Sequence, residues 1–211
     1  VDVDITENDG QKEFKDAVFY KQIIYEAFKK SQDKVEGAAI LVDEENGDSI
    51  LKDAKLRGFT ILLTTEKSGR DEFEFEYEDF ATHIEKYQPT FAKALIRYNP
   101  EDSPDLKERQ LGEMKRLNDF CHDNNYKFMI EVLIEASKSQ LSSVGGDKNR
   151  YDRELRPKLT VGVIKEFQEK GIDPDVWKME GMEKEEDYRA LVGRARIDGR
   201  ANVGVVVLGR G

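Results

Sequence analysis

The sequence is poor in the residues that build metal and disulfide sites, with one cysteine and two histidines in 211 positions. A lone Cys121 excludes an internal disulfide and a cysteine-cluster metal site. His83 and His122 fall in separate helical segments without ligand spacing, so neither a metal nor any other cofactor is expected. No apolar run approaches the roughly 18 residues that cross a bilayer, and nothing at the start reads as a signal peptide. The expectation is a cytoplasmic protein with no membrane partner. Positive charge is also in deficit: 34 Lys and Arg stand against 44 Asp and Glu, a net charge of -10 with no basic stripe, which argues against nucleic acid as a partner. A few converging cations in a cleft can still hold a small anion whatever the total charge. The phosphate-cradling patterns GxGxxG and GxxxxGK[ST] are both missing, which removes the main support for dinucleotide and P-loop readings. There is no Gly/Ser linker, no low-complexity tract and no short-period repeat, so residues 1–211 read as a single domain.

What is there is an alternation. After an acidic, turn-like opening, apolar residues recur at helical spacing over about 11–30. Short apolar runs follow at 37–43, 59–65, 91–98, 127–134, 174–180 and 203–211. Helical patterns separate them at about 47–57, 76–88, 103–124, 151–171 and 183–197. Near-continuous apolar strands alternating with helices predict an α/β protein built of parallel units. A barrel is favoured over an open doubly wound sheet, because charged residues interrupt the strands toward their C-terminal ends, where barrels carry their chemistry.

Asp43 ends the first run, and Glu66 follows the second. Lys93 and Arg97 share one face of the third by period-two alternation, and Glu131 lies within the fourth. In the fifth, Lys178 and Glu180 share a face while Trp177 and Met179 take the other, which suits packing against outer helices and turns Lys178 inward. An interior ammonium is costly unless it is paired or deprotonated. A desolvated lysine near other cations, Lys93 and Arg97 here, is what imine-forming catalysis uses, with Glu131 available to move protons. The same residues could equally form a structural ion-pair network, and spacing alone does not separate the two.

Three further stretches are candidates for ligand contact. The segment 62–72 is a polar strand-to-helix connection that could touch substrate, although a solvated connection is the more usual reading of such a loop. Gly209 and Arg210 close the last run and offer backbone N–H groups and a guanidinium to a phosphate, or else form a frayed end. The segment 142–158 reads as a mobile loop leading into a helix, with Arg153 and Arg156 as anion contacts.

The motifs VEGAAILVDEENG, ILLTTEKSGRDEF, FAKALIRYNPEDS, FMIEVLIEA, DPDVWKMEG and NVGVVVLGRG occur in an order that resembles the domain fused behind 5-dehydro-2-deoxygluconokinase in bacterial inositol catabolism. That domain is similar to class I tagatose-1,6-bisphosphate aldolase. The resemblance spans nearly the whole chain. It implies a TIM (β/α)8-type barrel, of which this sequence would carry the second to the seventh strands; the first, with its Asp-His/Gln-Arg-Gly motif, and the eighth are missing from the expected pattern. It implies a Schiff-base aldolase whose imine-forming lysine, in a D-V-L-K-V-E context, matches Lys178. The family's fourth-strand lysine matches Lys93, and its fifth-strand glutamate matches Glu131.

The function expected from this resemblance is cleavage of a phosphorylated ketose or keto sugar acid. An example is 6-phospho-5-dehydro-2-deoxygluconate, giving dihydroxyacetone phosphate and malonate semialdehyde. Lys178, Glu131 and Lys93 would be catalytic, and Asp43, Glu66, Arg97, Glu180, Gly209 and Arg210 would bind substrate. The alternative is a non-catalytic sugar-phosphate-binding or regulatory barrel associated with a carbohydrate kinase. A fused sugar kinase domain or a second copy of the chain is the expected macromolecular partner.

Overall fold

A computed structural model of the chain describes residues 12–35 and 37–208. Its six strands are β1 (Ala39–Val42), β2 (Thr60–Thr64), β3 (Phe91–Arg97), β4 (Lys127–Leu133), β5 (Val176–Met179) and β6 (Gly204–Val207). Each falls inside one of the apolar runs read from the sequence. They are hydrogen-bonded in chain order, with β1–β2, β2–β3, β4–β5 and β5–β6 parallel. A doubly wound sheet reverses its strand order at a switch point. Unreversed chain order is instead that of a β/α-barrel wall, so the topology is α/β and compatible with part of a barrel.

Contacts divide the chain into two compact units, through both of which β3 passes. The first holds the described residues up to Thr65 together with Tyr77–Lys93. Its helix α1 (Lys12–Ser31) lays Tyr25 and Phe28 beside Phe59, with the Phe28 and Phe59 rings 5.3 Å apart. Helix α2 (Glu44–Leu56) starts at the end of β1, because the Asp43 carboxylate accepts the Asn46 amide at 2.7 Å and Glu44 and Glu45 complement the helix dipole. It buries Ile50, Leu51 and Ala54. Gly47 lets it lie close on the strand, since a Cβ there would stand 2.1 Å from Val42 Cγ1. Helix α3 (Phe80–Tyr87) buries Phe80, Ile84 and Tyr87 and is clamped to α2 by Lys86 on Glu44 at 2.6 Å and by Tyr87 on Asp48 at 2.6 Å.

The second unit holds Glu66–Glu76 and the described residues from Ala94 on. Residues 66–76 make a small hairpin, with Glu66 bridged to Phe75 and the Lys67 amide donating to Glu74 at 2.9 Å. Helix formation therefore begins at Phe80, not at the expected 76. Helix α4 (Pro104–Asp123) opens on Ser103 with Pro104 in its first turn, where the absent proline N–H would have had no partner. Helix α5 (Lys138–Ser143) opens on a capping box of Ser137 and Gln140. The segment 142–158, read as a loop leading into a helix, is helical from about 151 as expected and also before it: α6 (Lys148–Arg150) runs through a π-helical turn (Tyr151–Leu155) into α7 (Arg156–Glu169). Residues 144–147 break it, with positive φ at Gly145 and Gly146. Helix α8 (Glu185–Ala195) precedes β6.

The core of this unit lies on the helix-facing side of the strands. Phe128, Ile130, Val132 and Trp177 are fully buried, as are Val163, Ile164 and Phe167 of α7. Trp177 meets Phe167 edge-on at 5.7 Å, and Phe167 meets Tyr98 at 5.1 Å. Each such side chain contributes about 1.5–3 kcal/mol by burial. Trp177 and Met179 thus pack as the alternation foretold, which leaves their strand neighbours on the opposite face.

Candidate functional site

The second unit's sheet carries the site. Because Phe128, Ile130 and Val132 of β4 and Trp177 and Met179 of β5 are committed to the helices, period-two alternation turns Met129, Glu131, Val176 and Lys178 to the other side. The register then sets Glu131 directly against Lys178, with Val206 of β6 next in the row. Lys178 Nζ lies 3.1 Å from Glu131 Oε2. The Glu131 side chain is 3% exposed and that of Lys178 13%, so the carboxylate is sealed while the lysine side chain keeps slight access to solvent. Removing either charge from water costs several kcal/mol, and the pairing offsets part of that. A carboxylate within hydrogen-bond reach of an amine can also take a proton from it and return one.

The ends of the neighbouring strands are held by polar links. Glu180, just past β5, accepts the Ile134 amide at 2.9 Å through one oxygen and the guanidinium of Arg156 through the other. Arg156 is 6% exposed and also donates to the Gly181 carbonyl at 3.2 Å. The Tyr151 hydroxyl donates to the Ile134 carbonyl at 2.8 Å; burial, followed by the nearby Glu180 charge, pushes its phenol above the ordinary range. Glu180, Arg156 and Tyr151 therefore fasten the exits of β4 and β5 to the start of α7. Arg97 at the end of β3 pairs with Glu135 at 3.0 Å and donates to the Arg70 carbonyl at 2.9 Å. Beside it, Asn99 and Gln140 exchange amide hydrogen bonds at 2.8 and 3.0 Å, and Asn99 donates to the Glu135 carbonyl at 2.7 Å.

Of the residues expected at a site, Glu131 and Lys178 are brought together, and Arg97 and Glu180 take protein partners in the same unit. Glu66 lies in the hairpin. Lys93 and Asp43 belong to the first unit. Lys93 is 3% exposed, and its carbonyl accepts from the Thr65 amide at 2.9 Å and hydroxyl at 3.0 Å. Asp43 caps α2 and pairs with Lys21. Gly209 and Arg210 lie outside the described residues. Arg156, expected to contact an anionic ligand, instead engages Glu180.

Two arrangements were not anticipated from the sequence. Glu44 joins His83, which stacks on Tyr77 at 3.8 Å, across 39 positions of chain. The Asn99–Gln140 exchange spans 41 positions; its one visible trace was the Ser137–Gln140 capping spacing. No group of three His, Cys, Asp or Glu side chains fit to hold a metal forms among the described residues. No described helix is long and apolar enough to cross a membrane.

A family model described as an uncharacterized protein conserved in bacteria, DUF2090, matches residues 3–211. The chain belongs to the DUF2090 family. The DUF2090 match runs through both compact units and takes in Lys93, Glu131 and Lys178 alike. Comparison with curated proteins returns no match.

Proposed function

We propose that this DUF2090 chain is a class I aldolase-type lyase built on a TIM-type barrel, with Lys178 as its imine-forming residue. The observation that carries the reading is the Lys178–Glu131 pair, 3.1 Å apart on adjacent strands and on the side of the sheet that faces away from the helices. In the proposed reaction the Lys178 amine gives its proton to Glu131 and attacks the keto carbon of a phosphorylated ketose or keto sugar acid. Glu131 returns that proton to the carbinolamine hydroxyl, which leaves as water and gives an iminium, and the carboxylate is restored. A base, Glu131, takes the proton of the substrate hydroxyl, the carbon–carbon bond breaks, and its electron pair flows into the iminium to form an enamine while an aldehyde leaves. Protonation of the enamine and hydrolysis restore the lysine and release the second product, so the water lost is returned. Arg97 of the same unit would hold an anionic group. The proposed substrate is 6-phospho-5-dehydro-2-deoxygluconate, with dihydroxyacetone phosphate and malonate semialdehyde as products.

The test is reductive trapping. Borohydride added with dihydroxyacetone phosphate should leave a stable adduct, and peptide mapping should place it on Lys178 and on no other lysine. A folded chain that gives no adduct there would sink the proposal.

A second reading is favoured by the commitment of Glu180 and Arg97 to protein partners: a sugar-phosphate-binding barrel without chemistry, in which Lys178–Glu131 is a structural ion pair. The substitution Lys178→Met separates the two. If the parent chain gives no borohydride adduct, and the variant binds the sugar phosphate unchanged while losing about 3–5 kcal/mol of stability, the lysine is a structural partner of Glu131 and not a nucleophile.

A further inference from the structure

The 3.6-residue period divides α1 into two apolar faces. Ile24, Tyr25 and Phe28 turn toward β1 and β2, and Tyr25 is 3% exposed. On the opposite side Phe19, Tyr20 and Ile23 are 60%, 50% and 49% exposed, three large side chains within five positions. Scattered exposed apolar residues are ordinary, but a contiguous set on one helix face marks a contact surface. A shallow groove on this face is lined by Phe19, Ile23 and Ala27.

The face has a second property, visible when it is placed against itself. In an antiparallel helix pair related by a two-fold axis at Ile23, a residue k positions after Ile23 meets the residue k positions before it in the other copy. Lys30 then meets Asp16, a cation against an anion at both ends of the pair. Ala27 meets Phe19, a small side chain opposite a large one, and Glu26 meets Tyr20, whose hydroxyl can donate to the carboxylate. Ile23 meets itself at the centre. At about 100° per residue all seven positions lie within about 60° of the Ile23 direction, so they form one stripe. Asp16, Glu26, Ala27 and Lys30 are exposed, and the Glu26 carboxylate, which pairs with Lys29 at 2.7 Å through one oxygen, has a second to offer.

We propose that α1 is the self-association surface of this protein, packing antiparallel on α1 of a second copy about a two-fold axis through Ile23. A contact made mainly by one helix pair lies at the lower end of the standard size range, roughly 1,000 Å² in total, so the dimer is reversible and forms at micromolar concentration. This surface is independent of any chemistry at Lys178.

Sedimentation equilibrium of the full chain over about 1 to 200 µM should show a concentration-dependent monomer–dimer equilibrium. Asp16→Lys or Lys30→Asp alone sets like charges against each other and should weaken the dimer at least tenfold. The double variant Asp16→Lys/Lys30→Asp should restore it. Ile23→Cys places a thiol against its own copy, and copper–phenanthroline oxidation should yield a disulfide-linked dimer; the native Cys121 is buried and does not compete. All these positions are on the helix surface, so circular dichroism should be unchanged. A chain that stays monomeric throughout the range overturns the proposal. So does a dimer that the double charge exchange fails to restore, or one that Ile23→Cys fails to crosslink.

Discussion

Trp177 and Lys178 are neighbours in β5 that face opposite ways, and each is unusual for its surroundings. Trp177 is fully buried, and among the described residues its Nε1 has no hydrogen-bond partner. An unsatisfied buried donor costs about 1–3 kcal/mol, so the indole contributes less than its size implies. Trp177→Ala should destabilise the protein by about 3–5 kcal/mol, whereas Trp177→Phe keeps most of the ring, removes the orphaned N–H and should cost less than half as much. Urea unfolding of the two variants checks this; equal losses would mean that the nitrogen is satisfied. The sequence showed which way both residues face, because a strand of alternating type leaves only two choices. It could not show what Glu180 meets. Its partner Arg156 is 24 positions away, and from the sequence that arginine read as a contact for an anionic ligand.

At the scale of elements, the strands were legible because each apolar run ends in a charge or a turn, and parallel pairing follows from the helix between every two. Helix starts were less so. FEFEYEDF before α3 alternates like a strand, and part of it closes a hairpin. Gly145 and Gly146 gave the start of 142–158 the look of a loop, but Asp147 caps the amides of Asn149 and Arg150 and restarts the helix at once. The packing of α2 on β1 could not be read at all, since it depends on one missing Cβ. Gly47→Ala would set that carbon 2.1 Å from Val42 Cγ1 and should cost about 1–3 kcal/mol through overpacking. Gly112→Ala in α4 meets nothing within 4 Å and should stabilise the helix by about 0.5–1 kcal/mol. Thermal unfolding of the two variants should move in opposite directions.

For the molecule as a whole, the ionisable groups predict a protein that loses stability toward both ends of the pH scale. Burial pushes the Cys121 thiol up to about 12. Burial followed by hydrogen bonds to carboxylates likewise raises Tyr87 and Tyr98 above the ordinary phenol range. Groups raised in the folded state contribute stability that is complete below their unfolded values and declines as pH rises toward the folded ones. Cys121 alone should remove about 1.4 kcal/mol between pH 7 and 10, and Cys121→Ala should show a correspondingly flatter slope in denaturant titrations. In acid the sign reverses. Hydrogen bonds from Lys52 and Tyr87 hold Asp48 down at about 2. Burial would raise Glu44, but bonds from Lys86, His83 and Tyr87 more than offset it and leave it lowered. The α2–α3 clamp should therefore weaken as pH falls through the carboxylate range.

The row Glu131–Lys178–Val206 also ties chemistry to correct assembly. If β5 slipped by a single position along β4, the amine would swing toward the helices and the indole would take its place beside the carboxylate. A molecule so misthreaded would forfeit its core and its reactive nitrogen in one step. The yield of a label on that lysine would therefore count properly folded chains as well as report on chemistry.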